Sequence, residues 1–149
     1  MSNTPTAGGH AGDVSPRQAW DTLQANEHAQ LIDVRTRPEW SFVGLPDLSG
    51  TGREPILLEW QLYPSMGIDG TFAEKLEAEL EKRGVPDDAP LLFLCRSGVR
   101  SANAAALMTS RGRAEAYNIE GGFEGPHDEN RHRGTREGWK AQKLPWRQS

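Results

Sequence analysis

Cys95 opens the stretch Cys95-Arg96-Ser97-Gly98-Val99-Arg100-Ser101, and it is the one cysteine in the chain. It follows an apolar run, Leu91-Leu92-Phe93-Leu94, and precedes an alanine-rich stretch from Ser101 to Met108 that reads as a helix. Strand, short loop and helix N-terminus aim unpaired backbone N–H groups and the positive helix end at one point, the geometry of an anion cradle. A thiol held there ionises more readily, and the thiolate is the nucleophilic form. A lone cysteine is also an ordinary small apolar core residue. Cys95 is set apart by its company: one arginine beside it, another closing the loop, and a serine and a glycine that let the backbone turn. Burying a thiol requires none of these.

Other polar groups carry less. Asp33 and Arg35 close the apolar stretch Leu31-Ile32-Asp33-Val34-Arg35, and Trp60 follows a second apolar run. Trp60 either walls a pocket or fills the core. His127 and His132 flank Asp128, Glu129 and Arg131 in a polar segment with no cysteine nearby in sequence. Metal binding needs converging ligands, so that segment reads as a solvated loop and no metal site is expected. His10 and His28 have no supporting pattern. No cofactor is expected.

The elements that position Cys95 follow from apolar spacing and punctuation. Ser15-Pro16-Arg17-Gln18 starts a helix, with a serine cap and proline at the first helical position, and Ala19, Trp20 and Leu23 give it an apolar side. Leu31–Val34 reads as a buried strand, Thr36 to Phe42 as a brief helix, and Ile56–Leu58 as a second strand. Thr71 and Glu74 form another capping pair, opening a helix to about Arg83 with Phe72, Leu76 and Leu80 on one face and Gly84 as the stop. Leu91–Leu94 is the central strand, and Ala116–Ile119 the last, closed by Gly121-Gly122. Strands alternating with helices predict an α/β fold, one mainly parallel central β-sheet with helices on both faces. In such sheets ligands bind beyond the carboxyl ends of the strands, where Cys95 falls.

At 149 residues the chain reads as one domain. Residues 1–13 read as a flexible lead-in and 14–149 as the domain. Within it, 124–138 reads as a polar loop insertion and 139–149 as a segment docking through Trp139, Leu144 and Trp146. The net charge of −4, with signs mixed throughout, leaves no basic face for nucleic acid. No apolar run approaches membrane-spanning length, and Met1–Asp13 lacks the pattern of a signal peptide. One cysteine builds no internal disulfide framework. The expectation is a soluble cytoplasmic protein without nucleic-acid or membrane partners.

Three stretches in order resemble the rhodanese (sulfurtransferase) family: Leu31-Ile32-Asp33-Val34-Arg35 with Glu39 and Trp40, then Cys95 to Ser101, then Tyr117-Asn118-Ile119-Glu120-Gly121-Gly122-Phe123. Trp139 and Leu144-Pro145 are similar to the family's closing segment. The resemblance implies a single rhodanese-like domain and a persulfide formed on Cys95. It implies sulfur transfer from a small anionic donor such as thiosulfate to cyanide or a thiol, with a sulfur-relay protein as a further candidate acceptor. Backbone N–H groups of Ser97, Gly98, Val99, Arg100 and Ser101 would hold the sulfur. Arg96 either attracts the donor or is simply solvated. Arg100 is expected to fix the loop through backbone carbonyls or a carboxylate, and to meet the donor's oxyanion. Ser97 either offers its hydroxyl or allows the turn. Asp33 is expected to support the loop and Arg35 to pair with Glu39.

Two alternatives remain open. Related cell-cycle phosphatases place one more residue between cysteine and arginine than the four found here, a wider cradle for phosphate. A non-catalytic binding or sulfur-carrier module is the other. The segments from Asp47 to Asp69 and Glu124 to Gly138 are longer than in a minimal domain, and both can line the site.

Overall fold

The computed structural model describes residues 10–148, beginning with a short edge strand, β1 (Gly12–Val14). Ser15 then starts α1 (Pro16–Ala25): its hydroxyl accepts the Gln18 N–H, while the Gln18 side chain accepts the Ser15 N–H. β2 (Gln30–Asp33) leads into α2 (Arg37–Phe42), where Glu39 reaches back to accept both the N–H and the hydroxyl of Thr36. β3 (Leu45–Pro46), a 3-10 turn at Ser49–Thr51, β4 (Ile56–Leu57) and a hairpin of β5 (Gln61–Leu62) and β6 (Gly67–Ile68) precede α3 (Phe72–Lys82). The chain closes with β7 (Leu91–Leu94), α4 (Val99–Ser110), β8 (Ala116–Ile119) and β9 (Trp146–Arg147).

Five strands form one sheet in the order β1-β8-β7-β2-β4, and every pairing in it is parallel. Alternation along the strands divides the core in two. Leu31, Leu92, Leu94, Tyr117 and Ile119 pack with Trp20 and Leu23 of α1, together with Phe123, Trp139 and Leu144. Ile32, Leu91, Phe93 and Ala116 face the other way, against Phe72, Leu76 and Leu80 of α3 and Ala104, Ala105 and Met108 of α4. Helices thus cover both faces, as the alternating pattern predicts. Trp60 is a core residue, stacked edge-on against Phe72 with centroids 5.1 Å apart. The closing segment docks through fully buried Trp139, and β9 pairs antiparallel with β3.

Three expectations change. The lead-in does not extend to residue 13: His10 and Ala11 are buried, and Gly12–Val14 pairs with β8. A three-residue edge strand is too short to announce itself by periodicity, and its partner lies far along the chain; residues 1–9 of the expected lead-in lie outside the described residues. Helix α4 begins at Val99 rather than Ser101, because Gly98 takes a left-handed φ of 118° and turns the chain two residues earlier. At α3 the pair of Thr71 and Glu74 does not close, since Thr71 has ψ 11° and its hydroxyl turns away from the helix. Asp69 takes over, accepting the Thr71 N–H (2.8 Å) and hydroxyl (2.7 Å) and the Lys75 ammonium (2.7 Å).

The hydrogen bond from Lys75, followed by those from Thr71, holds the Asp69 carboxyl at about 2. A carboxylate depressed in the folded state contributes stability that is complete above its unfolded value, roughly 3.9, and is lost as pH falls through the folded value. Asp69→Asn is therefore expected to lower stability by about 1 kcal/mol at neutral pH, the scale of one hydrogen-bonded ion pair. Urea unfolding should show this gap closing between about pH 4 and pH 2.

Candidate active site

β7 carries Cys95 to the carboxyl edge of the sheet, on the face covered by α4. Cys95 is 1% exposed, so its sulfur lies at the floor of the site. Two groups of the loop reach it. The Gly98 N–H donates to Sγ at 3.1 Å, and the Ser101 hydroxyl, one turn into α4, lies 3.2 Å from Sγ. The side chains of Arg96, Ser97 and Val99 are exposed, and Val99 projects with 71% of its surface free. Among the described residues Arg96 makes no ion pair, so its charge stands free at the rim.

The loop keeps its shape through a neighbour that glycine alone permits. The Cys95 carbonyl accepts the Phe123 N–H at 2.8 Å, and the Arg96 carbonyl accepts the N–H groups of Glu124 (3.0 Å) and Gly125 (3.1 Å). Gly122, at φ 61°, makes this approach: a Cβ there would meet the Cys95 carbonyl oxygen and lie 2.6 Å from the Arg96 carbonyl oxygen.

Arg100 closes the loop through a carboxylate. Its two terminal nitrogens donate to the two oxygens of Glu39, at 2.7 and 3.0 Å, tying α4 to α2 across the mouth. Burial alone would raise Glu39, but the hydrogen bonds and charge of Arg100, with those of Thr36, outweigh it and hold the carboxyl below its ordinary value. Burial likewise works against the charge of Arg100, and Glu39 more than offsets it. The pairing uses two of the five guanidinium N–H groups, so Arg100 holds the loop through a carboxylate, as expected.

The expected pairing of Arg35 with Glu39 is not found. Arg35 is fully buried and binds Asp33 instead, with Nε and Nη2 on the carboxylate (2.6 Å at the shortest) and a further bond from Nη2 to the Gly44 carbonyl at 2.8 Å. Its guanidinium lies 4.3 Å from the centre of the Phe123 ring. Side chains alternate along β2, and these two residues fall on the face opposite Cys95. Asp33 therefore reaches the loop through Arg35 and the Phe123 turn, with no direct hydrogen bond to it among the described residues.

Sequence reasoning missed what lies behind Ser101. The Ser101 hydroxyl is 2.5 Å from the Asn118 amide oxygen, and Asn118 donates through its nitrogen to Asp13 at 3.2 Å. Asp13 also binds the His10 ring at 2.8 Å. The register Asp13↔Asn118 and Phe93↔Asn118 puts these residues in one row across the sheet. In the polar segment, Asp128 accepts the N–H groups of Asn130 and His132 and the Thr135 hydroxyl, folding the loop on itself. Among the described residues no group of three or more His, Cys, Asp or Glu side chains is placed to hold a metal, and no helix is long and apolar enough to cross a membrane.

A parallel sheet whose central strand ends in a cysteine loop capped by a helix defines a rhodanese-like domain. The chain belongs to the family described as the STR4 middle domain, whose model matches residues 11–149. The crystal structure of Rv0390 from M. tuberculosis superposes with a TM-score of 0.84 at 45% identity, covering 94% of this chain and 99% of that one. The uncharacterized protein RC0915 of Rickettsia conorii is 37% identical over 134 residues, 90% of this chain and 95% of that protein. Thiosulfate sulfurtransferase GlpE of Actinobacillus pleuropneumoniae is 26% identical over 113 residues, 76% and 83% of the two chains. By fold and relatives the chain is a member of the sulfurtransferase family.

Gly122→Ala tests the backbone contact. A side chain there meets two carbonyl oxygens in a left-handed conformation, so a loss of about 3 kcal/mol is expected in chemical denaturation. Exposure of Cys95 to a thiol reagent should rise in parallel.

Proposed function

We propose that the chain is a sulfurtransferase that carries a sulfane sulfur on Cys95 between an anionic donor and a nucleophilic acceptor. The observation that carries this reading is the setting of Sγ: one buried sulfur, a backbone N–H at 3.1 Å and a hydroxyl at 3.2 Å, at the N-terminus of a helix. The name of the A. pleuropneumoniae relative, a thiosulfate sulfurtransferase, points to thiosulfate as the donor to try.

In the first step the Cys95 thiolate attacks the outer sulfur of thiosulfate. A new S–S bond forms as the donor's S–S bond breaks, and sulfite leaves with the bonding electrons. In the second, cyanide or a thiol attacks the terminal sulfur, and Cys95 leaves as the thiolate. This is covalent catalysis in two displacements. Donors aimed at the terminal sulfur act as an oxyanion hole does, stabilising charge where it develops. The backbone N–H groups of Ser97, Val99, Arg100 and Ser101 would fill that role, while the Gly98 N–H lies on Sγ itself, where charge returns when the acceptor takes the sulfur. Arg96, exposed and without an ion pair among the described residues, draws the anionic donor to the mouth. Arg100 holds the loop through Glu39. The chain has one cysteine, so the sulfur leaves to an outside acceptor, a small thiol or a sulfur-relay protein.

Initial rates of thiocyanate formation, with thiosulfate and cyanide varied together, test this. Parallel double-reciprocal lines are expected, and Cys95→Ser should abolish turnover. Arg96→Ala should raise KM for thiosulfate several-fold with a smaller change in kcat. Hydrolysis of an aryl phosphate without sulfur transfer would replace this reading with the phosphatase one. Partner binding retained by Cys95→Ser, with no turnover in the parent, would favour the binding module.

A further inference from the structure

The hydrogen bonds behind Cys95 contain a bookkeeping problem in protons. Ser101 Oγ lies 3.2 Å from Cys95 Sγ, 3.2 Å from the Gly98 carbonyl and 2.5 Å from the Asn118 amide oxygen. A hydroxyl has one proton and two lone pairs, so it donates to one of the three at a time. The orientation of the Asn118 amide decides which. With its nitrogen on Asp13 Oδ1 at 3.2 Å, its oxygen must face Ser101, and that oxygen can only accept. Turning the amide over would set its oxygen against the Asp13 carboxylate, two acceptors with no proton between them. Asp13 is held in turn by the His10 ring at 2.8 Å. Asn118 and Ser101 are 6% and 0% exposed, so water does not readily substitute for either partner.

We propose that Asp13 and Asn118 are positioning residues that commit the Ser101 proton to Asn118, so that the resting Cys95 sulfur faces a Ser101 lone pair rather than its proton. Among the described residues the sulfur's one donor is then the Gly98 N–H, and the Ser101 lone pair accepts from the thiol S–H. An anionic sulfur gains its second donor only when the Ser101 hydroxyl swings off Asn118. The row from β1 to α4 thereby holds the nucleophile in a restrained state until that rotation occurs. Of the other charges near the loop, Arg100 is paired with Glu39 and also attracted by Cys95 and Asp33, Arg96 points outward, and Asp33 and Arg35 pair with each other on the opposite face of the sheet.

This inference rests on the reading of Cys95 as the nucleophile, and its test reads the thiol directly, without sulfur transfer. The rate of alkylation by iodoacetamide at a fixed neutral pH is measured on the full chain. Asp13→Ala removes the acceptor that orients Asn118, at a side chain that is 43% exposed, and should speed alkylation several-fold. Asp13→Asn keeps an acceptor oxygen in place without the charge, and should alkylate at close to the parent rate. In a Ser101→Ala background, Asp13→Ala should add nothing. Equal acceleration by Asp13→Asn and Asp13→Ala, acceleration that persists without Ser101, or no acceleration by Asp13→Ala would each overturn the proposal.

The parent chain supplies a second readout that depends on no variant at position 13. Its single cysteine gives one S–H stretching band, expected at the lowered frequency of a hydrogen-bonded thiol and moving up in Ser101→Ala. A band at the free-thiol position would contradict the proposal. A chain that meets these expectations and yet transfers no sulfur would reject the sulfurtransferase reading while leaving the positioning network intact.

Discussion

The site depends on two consecutive carbonyls, those of Cys95 and Arg96, being gripped by the backbone N–H groups of Phe123, Glu124 and Gly125. A parallel strand that ends in a tight loop leaves its last carbonyls without ladder partners, and buried backbone groups left unpaired are costly. The turn after β8 satisfies them, and a glycine at position 122 lets one backbone come that close to another. Fixing these carbonyls fixes the direction in which the following N–H groups point. The N–H of Gly98 then meets the sulfur, and α4 starts where it does. The cradle is thus a consequence of how the β7 and β8 ends are joined, more than of any side chain.

Charge is organised around that backbone frame in two hydrogen-bonded pairs. Asp33 and Arg35 form a buried pair on one face of the sheet, under the ring of Phe123, and support the turn that grips the loop. Arg100 and Glu39 form a second pair on the other, joining the helix after β7 to the helix after β2. Buried pairs of this kind are stronger as constraints than as sources of net stability, since desolvation offsets much of their attraction. Their effect here is to leave Arg96 as the loop arginine without a carboxylate partner among the described residues, on the exposed side of the mouth. One positive charge thus stands at the rim above a recessed sulfur, where the proposed anionic donor would meet it.

Much of this was legible in the residues. The strands around Cys95, the serine-capped first helix, the covered parallel sheet and the docking of Trp139 follow from apolar spacing and punctuation, because local patterning and burial agree there. What escaped was non-local. Arg35 has carboxylates two and four positions away in sequence, and only the side of the sheet it falls on selects Asp33 over Glu39. Thr71 carries the composition of a cap, but its backbone angle gives the task to Asp69. Asp13 and His10 sit in a stretch with no strand periodicity, and only the register with Asn118 reveals that they back the active loop.

The central claim is that Cys95 accepts and releases one sulfur atom. The most direct measurement is the intact mass of the purified chain after exposure to thiosulfate, followed by a second mass after cyanide. A gain of one sulfur atom on the parent chain, discharged by cyanide and absent from Cys95→Ser, is the predicted result. An unchanged mass with thiosulfate, and again with a persulfide-bearing protein as donor, would contradict the account.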